Sequence, residues 1–331
     1  MTNNYFSVNP PLKVGLVGTG YAAKLRAETL LADDRSQLVA VSGHIPAKSE
    51  AFCQNYSAEA LLDWRQLVER SDLDLVIIST INSEHGAIAR AALDKGKHVV
   101  VEYPLSLDPI EAEQLIALAK SKNKFLHVEH IELLGGLHQA LKQNLSEIGT
   151  PFYARYSTIN PQRPAPQKWT YNSTLFGFPF SAALSRFHRL TDLFGQVATV
   201  SCQSRFWDSE GEFYTACLCT AQLRFSSGLI AEVTYGKGEI FWQAARPFEV
   251  YGEQGSLIFQ GEQGQLVRGE ESRPIEVGSR RGLFAKETTM VLDYLLEGKP
   301  LYVTPEASLY TLKVADAAHR SAQTGQTIEV V

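Results

Sequence analysis

Hydrophobic and polar positions along the chain follow two patterns in turn. In the first part, short apolar runs at 13–17, 38–42, 75–79, 98–101 and 125–128 read as buried strands. Between them, residues with helical apolar spacing lie at 21–31, 46–55, 83–95 and 108–122. Ser83 is placed as an N-cap, and Gly96 follows the last helical residue of its segment, where a C-terminal glycine belongs. Strand and helix alternating in this way predict a doubly wound parallel sheet.

The later part has a different texture. Longer runs at 150–159, 197–206, 214–225, 229–235, 247–251 and 256–259 are rich in β-branched and aromatic residues. Turn residues such as Ser226-Ser227-Gly228 separate several of them, which predicts an antiparallel sheet. Helices are expected at 181–194, 283–296 and 305–322, and the proline-rich NPQRPAPQKW at 160–169 reads as an ordered loop. The expected architecture is α/β. An N-terminal Rossmann domain with a doubly wound parallel sheet covers 1–128, and a C-terminal α+β domain with a large, mostly antiparallel sheet covers 129–331.

Composition narrows the function classes. The chain has 331 residues, 44% hydrophobic and 20% charged, enough for two domains with their own cores. The formal charge is −5 with no basic stripe, which argues against a nucleic-acid binder. The first residues lack the charged and apolar regions of a signal peptide, and no apolar run approaches the ~20 residues that span a bilayer. Cys53, Cys202, Cys217 and Cys219 have neither metal-type spacing nor the look of a disulfide framework, and read as reduced packing residues of a cytoplasmic protein.

Candidate chemistry begins after the first strand, in GLVGTGYAAK. Gly18-Thr19-Gly20-Tyr21-Ala22-Ala23 fits G-x-G-x-x-A between a strand and a helix. Gly18 permits the tight turn, Gly20 lets the backbone approach a pyrophosphate, and Ala23 lets helix and strand pack closely. The acid that usually meets an unphosphorylated ribose would fall at Gly43, 25 positions after Gly18, and no carboxylate stands there. Ser42, His44 and Lys48 offer donors and positive charge, so NADPH is favoured over NADH, although His44 and Lys48 also read as plain exposed loop residues. Thr80, Ile81 and Asn82 end the next strand at the carboxyl edge of the sheet, where ligands bind in open α/β folds. His85 either reaches the same crevice or lies on a helix surface.

The motifs GLVGTGYAAK and TINSEHGAIARAALDKGKHVVVEYPL, followed by the antiparallel part, resemble the glucose–fructose oxidoreductase/inositol dehydrogenase superfamily over essentially the whole chain. In that superfamily the fourth strand ends in Glu-Lys-Pro, and the lysine works with a distant aspartate and histidine. This chain has Glu102-Tyr103-Pro104; aligned on Asp192, Ser185 stands where the acid is expected and Arg189 where the histidine is expected. A tyrosine with a reference pKa of about 10 is a poor base at neutral pH, and arginine keeps its proton. The site therefore suits a substrate that accepts hydride at carbon into a conjugated system and carries carboxylates. The motifs EYPL, HVEHIELLGG, FYARYSTI, SRFHRLTDLFG, QSRFWD and VGSRRGLF resemble more closely the biliverdin reductase family of phycobilin-making phototrophs, whose bilin substrate meets both conditions.

The resemblance implies roles for particular residues. Glu102 and Tyr103 would flank the nicotinamide, with Tyr103 offering a flat face for a pyrrole ring and a hydroxyl for positioning rather than proton donation. Arg186 is the candidate catalytic residue of the second domain. Arg186 and Arg189 share a helix face and would hold propionates, unless they form a solvated face with Arg189 paired to Asp192. Glu129 and His130 are expected in the substrate cleft. The run His127-Val128-Glu129-His130 invites a metal reading, but His130 points off the face shared by His127 and Glu129, so no metal is expected. Arg163, Lys168 and Trp169 are placed over the ligand. The functional expectation is NADPH-dependent reduction of a bilin, with a reductase of another conjugated, carboxylated substrate and a catalytically inactive regulatory protein as the other readings. The sequence carries no information on oligomeric state.

Overall fold

The structure is a computed structural model that describes Phe6 and residues 9–330. The chain forms two compact units: Met1–Ile131 with Arg281–Leu309, and Glu132–Arg280 with Tyr310–Val331.

The first unit holds six strands: β1 (Leu12–Val17), β2 (Ser36–Ser42), β3 (Glu59–Leu61), β4 (Leu75–Ile78), β5 (His98–Glu102) and β6 (Leu126–Glu129). Their order is β3-β2-β1-β4-β5-β6, and every pairing is parallel. Helices α1 (Tyr21–Leu31), α2 (Pro46–Tyr56), α3 (Trp64–Glu69), α4 (His85–Asp94) and α5 (Pro109–Ser121) form the crossovers. β4 and the valines of β5 are buried on both faces, as a sheet covered on two sides requires. The strand order reverses between β1 and β4, which opens a crevice at their carboxyl ends. β3 is missed by the hydrophobic pattern because it is only three residues long. Ser83 is not a cap: a 3-10 turn, Asn82–Glu84, leads into α4, and Glu84 stands at its N-cap without a side-chain bond. Gly96 does end that helix, with φ +72°.

The segment Arg281–Leu309, which chain order assigns to the later domain, packs with the first unit. The reason is a charge on α1. Arg26 is fully buried, and an isolated buried guanidinium is prohibitive unless carboxylates surround it. Its Nη1 donates to Glu287 Oε2 at 2.6 Å and to Thr288 Oγ1 at 3.1 Å, both on the helix Leu283–Glu297, and its Nε donates to Glu102 Oε1 at 2.8 Å. Burial acts to lower the Arg26 pKa, and the carboxylates of Glu287, Glu102 and Glu129 more than offset it, leaving it raised. Arg35 adds a surface link, with Nη1 2.7 Å from Asp293 Oδ1.

The second unit contains α6 (Gly136–Asn144), β7 (Pro151–Pro161), the single turns α7 (Ser173–Phe176) and α8 (Pro179–Ala182), and α9 (Ser185–Phe194). Eight more strands follow: β8 (Val197–Trp207), β9 (Ala216–Phe225), β10 (Ile230–Gly238), β11 (Pro247–Gly252), β12 (Gly255–Gln260), β13 (Gln263–Arg268), β14 (Glu271–Glu276) and β15 (Ile328–Glu329). The nine-stranded order is β14-β13-β12-β11-β7-β10-β9-β8-β15, antiparallel except for the β7–β10 pair. β13 and β14 escape the hydrophobic pattern because they lie at the polar edge, where Pro274 can be tolerated. The single helix expected at 181–194 is broken: Ala183 leaves the helical region with ψ +45°, and α9 starts afresh at Ser185. Arg186 consequently lies in the first turn of α9.

The Arg26 cluster has a measurable consequence. Burial acts to raise the Glu287 pKa, but Arg26 and His127 pull it down from 4.5 to about 2. A carboxyl whose folded pKa lies below its unfolded one stabilises the fold above that unfolded value, and the contribution fades as pH falls from about 4.5 toward 2. Glu287→Gln should flatten this limb of an acid-unfolding curve. Arg26→Met, which strands Glu287, should cost about 3–5 kcal/mol in urea unfolding at neutral pH. A shift under about 1 kcal/mol would show that the cluster contributes little.

Candidate active site

The turn after β1 is built for glycine. Gly18 has φ +124°, and a Cβ there would stand 2.0 Å from the Ser79 carbonyl oxygen. Its N–H donates to the Ser42 carbonyl at 2.7 Å. Gly20 is the opposite case: a Cβ would meet nothing within 4 Å, and the residue caps α1 without any side-chain bond. The helix therefore offers its first amides to an open cradle, which fits a phosphate group. Ala23 is fully buried against the sheet, whereas Tyr21 is 76% exposed and Ala22 half-buried.

Beyond β2 the chain lines a cavity of about 220 Å³ with Gly43, His44, Arg65, Thr80 and Glu84 among its walls. Ser42 is buried, and its carbonyl holds Gly18. A Cβ at Gly43 would press on Thr19 Cγ2 and Ser49 Oγ, each at 2.9 Å, so any side chain there has to displace them first. The carboxylates come from elsewhere in the chain, which sequence reasoning missed. Glu84 Oε2 lies 3.2 Å from His44 Nε2, and Thr80 Oγ1 is 3.2 Å from the same nitrogen. Asp63 caps α3 and pairs with Arg65, whose guanidinium lies 4.3 Å over the Trp64 ring. Lys48 is exposed on α2, Ile81 is half-buried and Asn82 buried. His85 requires a correction. It is fully buried, with Nδ1 2.8 Å from the Pro104 carbonyl and Nε2 3.3 Å from that of Thr80, so it braces two strand-end loops from inside instead of facing a ligand.

At the ends of β5 and β6, Glu102 and Glu129 are cross-strand partners. Glu129 is buried, and its Oε1 accepts from Ile131 N at 2.5 Å. Burial, then the charge of Glu102 and a hydrogen bond with it, raise the Glu129 pKa well above the ordinary carboxyl range. Two carboxyls brought this close in a buried setting oppose each other's charge, and the effect is read at Glu129, the member buried behind the strand end. Tyr103 stacks on His130 with centroids 5.1 Å apart and rings 5° from parallel. His130 is fully buried, with Nε2 2.8 Å from Ser308 Oγ and its N–H on the Tyr302 hydroxyl at 2.9 Å. The expectation that Glu129 and His130 meet substrate directly is thus corrected: both lie beneath the surface, behind Glu102 and Tyr103. His127 is separate again, 2.6 Å from Glu287. No group of three metal-type ligands occurs among the described residues.

In the second unit, α9 lays Arg186 over β7 and β10. Arg186 Nε is 3.3 Å from Thr158 Oγ1, Nη1 is 3.0 Å from Ser185 Oγ, and Cζ lies 5.3 Å from the Tyr235 ring centroid. Thr158 and Tyr235 are neighbours in the parallel register. Arg189 is buried and donates to Glu132 at 2.6 Å. Asp192 does not pair with Arg189; it binds His138 at 2.8 Å and Lys142 at 3.2 Å, and the His138 bond leads in lowering its pKa to about 2. Lys237, missed in the sequence, is buried among the Phe176, Tyr171 and Tyr214 rings, and burial pushes its pKa down to about 8. Arg163 lies 3.3 Å over the exposed Trp242 ring. Lys168 is exposed, and Trp169 tilts against Phe176.

Comparison with known proteins agrees with this layout. Residues 12–130 match an oxidoreductase family by its NAD-binding Rossmann fold, and residues 142–330 match the family's C-terminal alpha/beta domain. A crystal structure of biliverdin reductase in complex with biliverdin and NADP+ from Synechocystis sp. PCC 6803 is 55% identical with a TM-score of 0.93, covering 95% of this chain and 99% of that one. Biliverdin reductase A of Mus musculus is 30% identical over 197 residues, 59% of this chain and 63% of that protein. A dTDP-3,4-didehydro-2,6-dideoxy-alpha-D-glucose 3-reductase of Saccharopolyspora spinosa is 32% identical over 142 residues, 43% of that protein. The chain thus spans less than two thirds of the length of these curated relatives.

The carboxyl pair is open to direct observation. Infrared difference spectra at neutral pH should show the carbonyl band of a protonated carboxyl group, and Glu129→Gln should remove it. Persistence of the band in that variant would place the proton on another residue.

Proposed function

The chain belongs to the oxidoreductase family that joins an NAD-binding Rossmann fold to a C-terminal alpha/beta domain, with biliverdin reductases among its near relatives, and from this we propose that it reduces biliverdin to bilirubin with NADPH. The observation that carries the proposal is the 55% identity, over 95% of the chain, to a biliverdin reductase solved with biliverdin and NADP+. The site chemistry supports it independently. The Gly18–Gly20 turn and the open first turn of α1 suit a dinucleotide. When bound, the cofactor supplies the hydride that adds to the central methine carbon.

The side chains supply what that step then needs. The electron pair moves into the conjugated pyrroles, and one pyrrole nitrogen takes up a proton. No hydroxyl proton has to be removed, so a lysine in place of Tyr103 has no task. Tyr103 gives a flat wall, held parallel to His130, against which a pyrrole ring stacks. Glu129, whose pKa burial and Glu102 raise, is our candidate for the group that supplies this proton, with water restoring it after turnover. Arg186 offers its guanidinium to a propionate and keeps its charge at every working pH. Free, buried cysteines are in keeping with a reducing cytoplasm. No helix among the described residues is long and apolar enough to cross a membrane.

Mixing protein, biliverdin and NADPH should produce the yellow absorbance of bilirubin; its absence at every pH tried would sink the proposal. Arg186→Ala should lower kcat/KM by about a hundredfold, roughly 2.7 kcal/mol, with NADPH affinity unchanged. Tyr103→Phe should keep the rate within about threefold, since the ring and not the hydroxyl is required.

Cofactor choice gives a separate prediction. NADPH should outcompete NADH in wild type. Gly43→Asp should weaken both, because the new side chain displaces Thr19 and Ser49 before it meets a ribose. Fluorescence titration that finds only NADPH weakened would restore a purely electrostatic role for this position.

A further inference from the structure

In the first unit, a cavity of about 380 Å³ lies beside β6, the edge strand of the parallel sheet, a volume typical of small-ligand sites. Its walls are apolar and aromatic: Phe125 and Leu126 where β6 begins, Ile116 on α5, Tyr294 on the helix Leu283–Glu297, and Leu301 and Val303 beyond that helix. The Phe125 and Tyr294 rings stand with centroids 5.0 Å apart and planes tilted by 31°. Neither takes part in cofactor binding or in the reduction proposed above.

The charges around the cavity do not balance. Lys120 and Lys124 line it against one carboxylate, Glu306, and Lys120 holds that carboxylate at 2.7 Å. Lys124 is half-buried and has no ion pair among the described residues. Its charge bears on neighbours already short of solvent. Burial leads, and Lys124 adds, in lowering the His98 pKa to about 4, and the same two causes act on Lys97. An anion at Lys124 relieves this repulsion, and the aromatic floor accepts the apolar body that carries it.

We infer that this cavity binds a small aromatic carboxylate, its ring against Phe125 and Tyr294 and its acid on Lys124. A flat, rigid guest suits these walls better than a flexible chain, which loses more conformational freedom on entering. Occupancy also bears on the carboxyl end of the sheet. The Phe125 and His127 rings lie 7° from parallel with centroids 6.1 Å apart. His127 Nε2 is 2.6 Å from Glu287 Oε1, yet the two atoms are not aligned as a hydrogen bond, so a small turn of the imidazole makes or breaks it. Glu287 holds Arg26, and Arg26 holds Glu102. A ring pressed on Phe125 therefore acts on the strand end before Tyr103 through groups already in contact.

The test uses naphthalene-2-carboxylate as the probe and 2-naphthylmethanol, with the same rings and no charge, as its control. Binding to the full chain is read by equilibrium dialysis without cofactor, so it does not depend on the reductase reading. Wild type should bind the acid at least about tenfold more tightly than the alcohol, the range expected for a charge-assisted hydrogen bond. Lys124→Gln should bring this ratio close to one, and Arg186→Gln should leave it unchanged. Ile116→Trp, which fills the cavity, should abolish binding of both compounds; Lys124→Gln alters a half-buried surface side chain and keeps the test valid if the filled variant fails to fold. An unchanged ratio in Lys124→Gln, or its loss in Arg186→Gln instead, overturns the site. Turnover of biliverdin with NADPH is read separately: saturating probe should change kcat by at least about twofold, and the concentration required should rise about tenfold in Lys124→Gln. A change in KM alone would mark competition for the bilin site and overturn the coupling. Acid-selective binding lost in Lys124→Gln, without turnover in any sample, would sink the reductase reading and leave the cavity site standing.

Discussion

One buried guanidinium organises the first unit. Arg26 has no exposed surface, and a charge so placed must be surrounded or the helix that carries it cannot pack. Its partners come from three parts of the chain: Glu102 at the end of β5, Glu129 at the end of β6, and Glu287 from a helix 261 residues away. The Glu287 contact draws Leu283–Glu297 onto α1, where Val291 and Leu295 join the core formed by Ala23, Ala27 and Leu30. The Glu102 contact fixes the strand end just before Tyr103. The phosphate turn at the start of α1 and the aromatic wall at the end of β5 are thus set by a single ion cluster about one and a half turns along the same helix.

That cluster also explains why one carboxyl is pushed toward its protonated form. Three glutamates around one arginine cannot all be charged at low cost in a dry interior. The structure resolves this by separating them. Glu287, bonded to Arg26 and close to His127, is drawn down to about 2, while Glu129, buried and facing the charge of Glu102, is driven up. Carboxyls pushed apart by their surroundings are how a fold keeps an acid and a base side by side at one pH. Here the carboxyl that is driven up is the one that no solvent reaches, and the exposed edge of the pair is Glu102, 17% exposed at its side chain.

The parallel sheet, the glycine turn and the Glu102-Tyr103-Pro104 exit were legible because each depends on local pattern: apolar runs, a fixed glycine spacing, a proline after a strand. Arg26 was not, because a polar residue in a helix gives no sign of its burial until a distant carboxylate is placed beside it. The same holds for Arg246, Arg280 and Glu132, which lie in separate segments and meet only in the folded second unit. A signal existed for Arg280, since VGSRRGLF was among the motifs carrying the family resemblance, yet nothing local assigned it a wall of a cavity. His85 and His130 erred in the other direction. Each sits beside site residues in sequence and was read as facing a ligand, whereas burial turned both into braces behind the surface.

The two histidines show how this scaffold can exchange its catalytic groups without losing its shape. A proton-shuttling lysine needs freedom and solvent, and the residues around it must leave room. A stacking tyrosine needs the reverse: a rigid plane at its back. His130 provides that plane, and it is itself immobilised by Ser308 at one ring nitrogen and by Tyr302 at its backbone N–H. His85 holds the exit loop from the other side through the Pro104 carbonyl. Once the ring of Tyr103 is fixed from behind in this way, the position presents an aromatic face, and a buried carboxyl with a raised pKa, Glu129, stands one strand over. Under the proposed activity, the fixed aromatic wall and the separate buried carboxyl would be two aspects of one arrangement, serving a substrate reduced at carbon and protonated at a separate atom.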